Sequence, residues 1–178
     1  MHGIVSLLDD KHYQLTESLW AELEKSFGVR GIYVTPYPHF SYQVAKNYDT
    51  TQLEPILQGI AQTAREFQVR TTGVSLFTGP SPVLYIPVVR TQALSQFQQM
   101  VWNKISQTGA GVVDYYHPEK WLPHITIGFG DVRQNNLPDI IQLLSKREIN
   151  WEITVNNLSY IADTGQKQEL RWRFNFGR

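Results

Sequence analysis

Two short segments of the sequence share one pattern and occupy matching places in its two halves. Pro38–Tyr42 and Pro123–Ile127 both read proline, histidine, apolar, hydroxyl, apolar. A predicted strand and helix precede each segment, and a further helix and strand follow it. This order predicts an α+β fold, a pseudo-twofold duplication in a single bilobal domain with approximate halves 1–80 and 81–178. The alternative is an ordinary alternation of helices and strands.

Hydrophobic periodicity and Gly/Pro stop signals define the predicted elements. The predicted helices are Leu15–Phe27, Leu53–Phe67, Gln92–Ser106 and Leu137–Leu144. The predicted strands are Gly3–Leu8, His39–Val44, Val69–Phe77, Val83–Val89, Leu122–Phe129, Asn150–Ala162 and Glu169–Phe176. Gly28 and Gly109 are interpreted as the ends of the first and third helices.

Composition narrows the classes of ligand and compartment. Sixteen basic residues balance sixteen acidic ones, whereas proteins that coat long nucleic acid carry a basic excess. Neutrality therefore favours a small or short phosphate ligand over a long duplex. The chain has no cysteine, so disulfides and thiolate chemistry are excluded. No stretch approaches the roughly 20 apolar residues of a membrane helix, and we expect a cytoplasmic monomer without a membrane partner.

The two segments suit acid–base chemistry at phosphorus. Side chains alternate along a strand, so His39 shares a face with Ser41, and His124 shares a face with Thr126. If the two faces meet across a cleft, one neutral imidazole can take a proton from the attacking group. The other, protonated, can supply one to the departing oxygen. The Ser41 and Thr126 hydroxyls can bind the non-bridging phosphate oxygens. Which histidine is the base stays open.

Nothing in the sequence calls for a metal or an organic cofactor. A metal site would have to combine His39, His124 and His117 with Asp114, at spacings that no common zinc motif shows. Glycine-rich loops that bind nucleotide phosphates are also absent. We therefore predict a reaction without metal or cofactor.

The two motifs, about 85 residues apart in a cysteine-free chain, resemble those of the 2H phosphoesterase superfamily. That group includes bacterial 2′–5′ RNA ligase-like proteins and cyclic phosphodiesterases. Trp121–Gly128 is similar to the bacterial members, while Ser41 stands where threonine is commoner. The resemblance implies two antiparallel sheets around a central cleft, with helices outside. It also implies activity on 2′,3′-cyclic phosphates, ADP-ribose cyclic phosphate or 2′–5′ linkages.

Three functions follow from these motifs. The leading hypothesis is a metal-independent phosphodiesterase that opens a 2′,3′-cyclic phosphate on a small cyclic nucleotide or an RNA end. The second is a 2′–5′ RNA ligase-like transesterase, in which an RNA hydroxyl attacks. The third is a non-catalytic protein that binds nucleotides or RNA ends.

A few further residues are candidates for contacts with substrate. Glu169–Phe176 alternates, with Arg171 and Arg173 opposite the apolar residues, so both arginines either line the cleft or form a solvated face. Tyr85 either stacks on a base or packs in the core. The aromatic residues near the motifs, a candidate nucleobase platform, are Tyr37, Tyr42, Tyr115, Tyr116 and Trp121. By alternation Tyr42 is expected to face the core, and the alternative for Trp121 is that it covers a sheet edge.

Overall fold

The structure is a computed structural model and describes residues 1–177. The helices are α1 (Asp10–Phe27), α2 (Thr50–Thr63), α3 (Gln92–Ile105) and α4 (Leu137–Leu144). The strands are β1 (His2–Leu7), β2 (His39–Tyr48), β3 (Phe67–Arg70), β4 (Ser75–Phe77), β5 (Val83–Pro87), β6 (Gly109–Val112), β7 (His124–Gly128), β8 (Glu152–Val155), β9 (Asn157–Asp163) and β10 (Gln168–Asn175). Within this range no helix has the length and apolarity needed to cross a bilayer.

All strand pairings are antiparallel. Five strands form one sheet in the order β10-β9-β1-β2-β6. The others form the ribbons β4-β5-β7 and β3-β8, which a bridge between Thr71 and Val88 joins into a second layer. The predicted α+β fold with antiparallel sheets is confirmed. Each layer takes strands from both predicted halves, so within residues 1–177 the two halves interleave instead of forming one sheet each.

The strands that carry the two motifs are paired in the same register. The equivalent cross-strand pairs are Val5–Ser41 and Tyr85–Thr126, Ser6–Phe40 and Ile86–Ile125, and Leu7–His39 and Pro87–His124. Both ladders then shift by a bulge directly after the hydroxyl residue, at Tyr42 in β2 and at Ile127 in β7. The same local geometry is therefore built twice, as the repeated pattern predicted.

The helices are exchanged between the two layers. Helix α1 follows β1 in the first sheet but packs against β7, while α3 follows β5 and packs against β2. The strand faces beneath them carry the apolar motif residues Phe40, Tyr42, Ile125 and Ile127, each at most 1% exposed. Alternation then leaves the histidines and hydroxyls on the opposite, half-buried face.

Two long predicted strands are each divided in the structure. The predicted strand Val69–Phe77 is interrupted at Gly73, whose positive φ of 64° turns the chain between β3 and β4. The predicted strand Asn150–Ala162 breaks at Asn156, where the chain passes from β8 in one layer to β9 in the other. Since strands on both sides of the break are buried, the apolar pattern runs on without marking it.

Helix ends and one short strand also differ from the predictions. Helix α1 begins at Asp10, because Asp9 caps it by accepting a hydrogen bond from the His12 amide; its polar first turn shows no apolar period. Helix α2 ends at Thr63, and Phe67, predicted as helical, begins β3. Gly109, interpreted only as a helix end, begins the edge strand β6.

Candidate active site

Each motif histidine is held in place through one ring nitrogen. His39 Nδ1 lies 2.5 Å from the Tyr37 carbonyl oxygen, and His124 Nδ1 lies 2.8 Å from that of Leu122. A carbonyl only accepts hydrogen bonds, so Nδ1 carries the hydrogen in both rings. This fixes the same tautomer twice and leaves each Nε2 available for proton transfer.

Burial sets the charge state of both imidazoles. It lowers the pKa of His39 to about 4, opposed by the hydrogen bond to Tyr37 and assisted by the charge of His124. Burial also lowers the pKa of His124, and the hydrogen bond to Leu122 partly offsets this. The influence of His124 on His39 means that the two rings are within electrostatic range of each other. Both are neutral near pH 7 until an anion favours their protonated forms.

The motif side chains line two cavities that adjoin through one tyrosine. His39 and Ser41 border a cavity of about 170 Å³. His124 and Thr126 border one of about 530 Å³. Tyr116 lines both cavities, which together we call the cleft. Burial raises the pKa of the Tyr116 phenol, and the nearby Ser41 side chain partly offsets this, so the phenol keeps its proton and can donate a hydrogen bond.

Three aromatic rings surround His124, and two of them, Phe77 and Tyr115, line the larger cavity. The ring centroids of Phe77, Tyr85 and Tyr115 lie 5.1, 5.3 and 6.1 Å from that of His124. Phe77 also stacks on Tyr85 at 4.2 Å with an interplanar angle of 24°. We call Phe77, Tyr85 and Tyr115 the aromatic wall. On the His39 side, the residue equivalent to Tyr85 is Val5.

The structure places some of the predicted aromatic candidates near His124 and others in the core. Tyr85 is only 6% exposed, yet its ring contacts His124, so core packing and proximity to the site coincide. Tyr42 and Trp121 are buried in the core and offer no open platform. Phe77 was missed as a site residue, because the sequence marked it only as the last residue of the predicted strand Val69–Phe77. Its contact with His124 arises from the pairing of β4 with β5, which no local pattern specified.

A bulge in β10 changes the predicted faces of this strand. Leu170 lies opposite Ile161 and Arg173 opposite Ser159, so Arg171 is the extra residue. The prediction that Leu170 shares a face with Trp172 is wrong: Leu170 packs with Val5 and Ile161, on the side of the sheet that carries Ser41. Trp172 packs into the main core.

The two predicted arginines therefore have different surroundings. Ser159 pairs with Val5, and Val5 pairs with Ser41, so Arg173 stands in the same cross-strand row as that hydroxyl. Arg173 is exposed at the His39 end of the sheet. Burial raises the pKa of Tyr160 and the charge of Arg171 opposes this, which places Arg171 beside Tyr160 instead.

The donor set of the cleft is imidazole, hydroxyl and phenol. Across residues 1–177, no three His, Asp or Glu side chains come together as metal ligands would. The groups present can transfer protons through nitrogen and donate hydrogen bonds to an anion. This arrangement fits acid–base chemistry on a phosphate ester.

Comparison with known proteins connects this geometry to a family. A family model described as the 2′-5′ RNA ligase superfamily matches residues 10–167. Among solved structures, TT0787 of Thermus thermophilus superposes with a TM-score of 0.67 at 11% identity, over 99% of this chain and 98% of that one. At this identity the likeness shows a shared fold. No curated protein matches the chain.

The family match spans most of the sequence and includes both histidine motifs. The chain belongs to the 2′–5′ RNA ligase superfamily, the 2H phosphoesterase family.

Proposed function

We propose that this protein opens a 2′,3′-cyclic phosphate, or a related RNA-type phosphodiester, on a small cyclic nucleotide or an RNA end. His39 and His124 act as the acid–base pair without a metal. The observation that carries the proposal is the duplicated register. It places an imidazole with a free Nε2 next to a hydroxyl on each side of the cleft.

His39 is the better general base. A pKa of about 4 keeps it neutral over most of the pH range, with its lone pair on Nε2. His124 is the acid, because an anionic phosphate in the cleft stabilises its protonated form. Its positive charge in turn holds His39 neutral, so one histidine charged and the other neutral is the favoured pair of states.

The reaction is then an in-line displacement at phosphorus. Water attacks phosphorus as His39 Nε2 takes its proton, and a new phosphorus–oxygen bond forms. The bond to one ring oxygen of the cyclic phosphate breaks, and His124 gives that oxygen a proton. Ser41 and Thr126 donate hydrogen bonds to the non-bridging oxygens, where negative charge concentrates. The product is a phosphomonoester with a free neighbouring hydroxyl.

The rest of the nucleotide lies along the larger cavity. Its volume of about 530 Å³ is within the range of small-molecule sites. Aromatic and apolar side chains dominate the lining, which suits a planar base. Phe77 and Tyr115 of the aromatic wall are half-buried and offer ring surface to it. Arg173 lies at the opposite end, where it attracts a further phosphate of an RNA end.

The test is incubation of the purified protein with each nucleoside 2′,3′-cyclic phosphate in the presence of EDTA. Products are separated as 2′- and 3′-monophosphates. We expect conversion that persists with the chelator and is lost in both His39→Asn and His124→Asn. Turnover retained in both single variants would contradict the scheme, and binding without any product would indicate a non-catalytic nucleotide binder.

The matched family's description supports a second candidate, a 2′–5′ RNA ligase-like transesterase. An RNA 5′-hydroxyl would replace water as the attacking group, with the same histidines. Incubation with 2′–5′-linked dinucleotides, and with a cyclic phosphate plus a 5′-hydroxyl acceptor, ranks the two. Faster exchange of 2′–5′ linkages than hydrolysis of cyclic phosphates would favour the ligase.

A further inference from the structure

The backbone carbonyls of Ser41 and Thr126 both lie on strand edges without a ladder partner. Strand β6 pairs with β2 only over Ala45–Tyr48, which leaves the edge at Ser41 open. Strand β7 ends its ribbon, so the edge at Thr126 is open as well. A buried carbonyl without a partner is destabilising, and these two belong to the residues that we assign to phosphate binding.

A tryptophan indole satisfies each of these carbonyls. Trp121 Nε1 donates to the Ser41 oxygen at 2.8 Å, and Trp20 Nε1 donates to the Thr126 oxygen at 3.2 Å. Both tryptophans are 2% exposed. Trp20 comes from α1, whereas Trp121 comes from the loop before β7. The equivalent acceptors are therefore served by donors from unrelated elements, so the contacts are not a simple product of the duplicated topology.

Trp121 also ties the two motifs to each other. It precedes His124 by three residues, and Leu122 between them accepts the His124 Nδ1 hydrogen bond. Arg90 holds the segment by donating to the Trp121 carbonyl at 3.3 Å. A displacement of Trp121 from Ser41 would therefore change the separation between the first hydroxyl and the second histidine.

We propose that Trp121 and Trp20 are positioning residues for the reaction. Their indole N–H groups hold the Ser41 and Thr126 strands so that both hydroxyls point at one phosphate. The proposal rests on the proposed function and deepens it. Each carbonyl is followed directly by the bulge at Tyr42 or Ile127, where the ladder pairing is interrupted, so the indole hydrogen bond adds a constraint at that point. Trp121 has the larger role because it bridges the two motifs.

The test replaces a single indole N–H without changing packing. Incorporating 3-benzothienylalanine at Trp121 or Trp20 substitutes sulfur for the donor nitrogen in a ring of nearly the same shape. Trp151 is the matched control, because its Nε1 donates to the Glu148 carbonyl at 3.1 Å, outside both motifs. We expect kcat to fall about tenfold at Trp121 and less at Trp20, with at most a several-fold rise in KM. The control should lose stability only.

If kcat at Trp121 and Trp20 stays within twofold of the control while Tm falls, the indoles are merely structural and the proposal is overturned. Trp121→Phe gives the same comparison if the analogue does not fold. A readout independent of turnover separates this proposal from the proposed function. The affinity for inorganic phosphate, followed through the imidazole NMR signals of His39 and His124, should weaken several-fold at Trp121 and not at Trp151. If the unaltered protein shows no turnover and the change at Trp121 leaves the phosphate affinity unchanged, both the proposed function and the positioning role are overturned.

Discussion

His39 and His124 occupy equivalent backbone positions, but the side chains around them differ. Both rings donate Nδ1–H to the carbonyl two residues earlier, and both precede a hydroxyl and a bulge. Beside Ser41 the neighbouring strand carries Val5, whereas beside Thr126 it carries Tyr85. One side of the cleft is narrow and the other is wide and aromatic.

The shared and the differing features of the two sides are expected to serve two separate tasks, proton transfer and substrate selection. The shared register gives both imidazoles the same position on their strands, and under the proposed function this sets the type of reaction. Under the same proposal, the neighbours that differ, Val5 on one side and Tyr85 and Phe77 on the other, determine which end of a substrate each side accepts. We therefore expect catalysis to depend on what the two sides have in common, and selectivity to depend on where they differ.

The largest expected effect tests what the two sides share. His39→Asn keeps a side-chain donor near the Tyr37 carbonyl but removes Nε2, and His124→Asn does the same at Leu122. Each should lower kcat about 10³-fold, the usual range for a lost general acid or base. Steady-state kinetics with a nucleoside 2′,3′-cyclic phosphate measures this, with His117→Asn, in the loop before β7, as control. A loss confined to one variant would break the functional equivalence of the two sides.

The pH dependence of kcat/KM tests the charge states proposed for the two histidines, neutral His39 and protonated His124. Falling pH protonates His39, so the rate should drop by about tenfold per pH unit below its pKa of about 4. Rising pH deprotonates His124 and removes the acid, with a midpoint below 6.5. The profile should be bell-shaped. In His39→Asn the residual activity should lack the decrease at low pH. A rate that climbs steadily up to pH 8 would contradict a protonated His124 as the acid.

Stability at low pH distinguishes the two sides without any substrate. The unfolded chain protonates His39 near pH 6.5, whereas the folded chain does so only near pH 4. The free energy of unfolding should therefore decrease as the pH falls through this window, by about 3 kcal/mol from His39 alone. Urea unfolding at pH 7 and pH 4 should show a smaller decrease in His39→Asn than in the unaltered protein. An identical decrease in both would contradict the burial of this imidazole.

A smaller effect is expected from the aromatic wall. Phe77→Leu removes a ring that stacks on Tyr85 and contacts His124, and should raise KM for cyclic nucleotides about tenfold with little change in kcat. A cyclic ribose phosphate without a base should show no such increase. Tyr85→Phe, which keeps the ring, is the matched control. An equal rise in KM for the baseless compound would mean that the wall only shapes the pocket.

The smallest expected effect concerns charge on the His39 side. Arg173→Gln should raise KM about threefold for an RNA end that bears a second phosphate, because an exposed charge acts weakly through water. The effect should fade at high salt. Arg171→Gln, two residues away but beside Tyr160, should leave KM unchanged. Equal effects from both arginines would indicate general electrostatic attraction instead of a directed contact.

The sequence predicted the parts of this structure that are encoded locally. Proline-flanked alternation in Pro38–Tyr42 and Pro123–Ile127 identified the two strands and the faces of their side chains, and burial of Phe40 and Ile125 confirms those faces. Periodicity also located the four α-helices that the structure describes within residues 1–177. Contacts that arise from pairing between distant segments were not predictable in this way. The bulge at Arg171, the position of Phe77 and the bonds from Trp20 and Trp121 all depend on register or packing that no short pattern contains.

The exchange of helices between the two layers has a consequence for how the enzyme folds. Because α1 covers β7 and α3 covers β2, neither apolar strand face is covered until segments from both halves of the sequence have met. Contacts of such long sequence separation slow folding. In a nascent chain that ends before β7, α1 has no strand to cover. We therefore expect both histidines to reach their folded positions in a single late step, when the core closes.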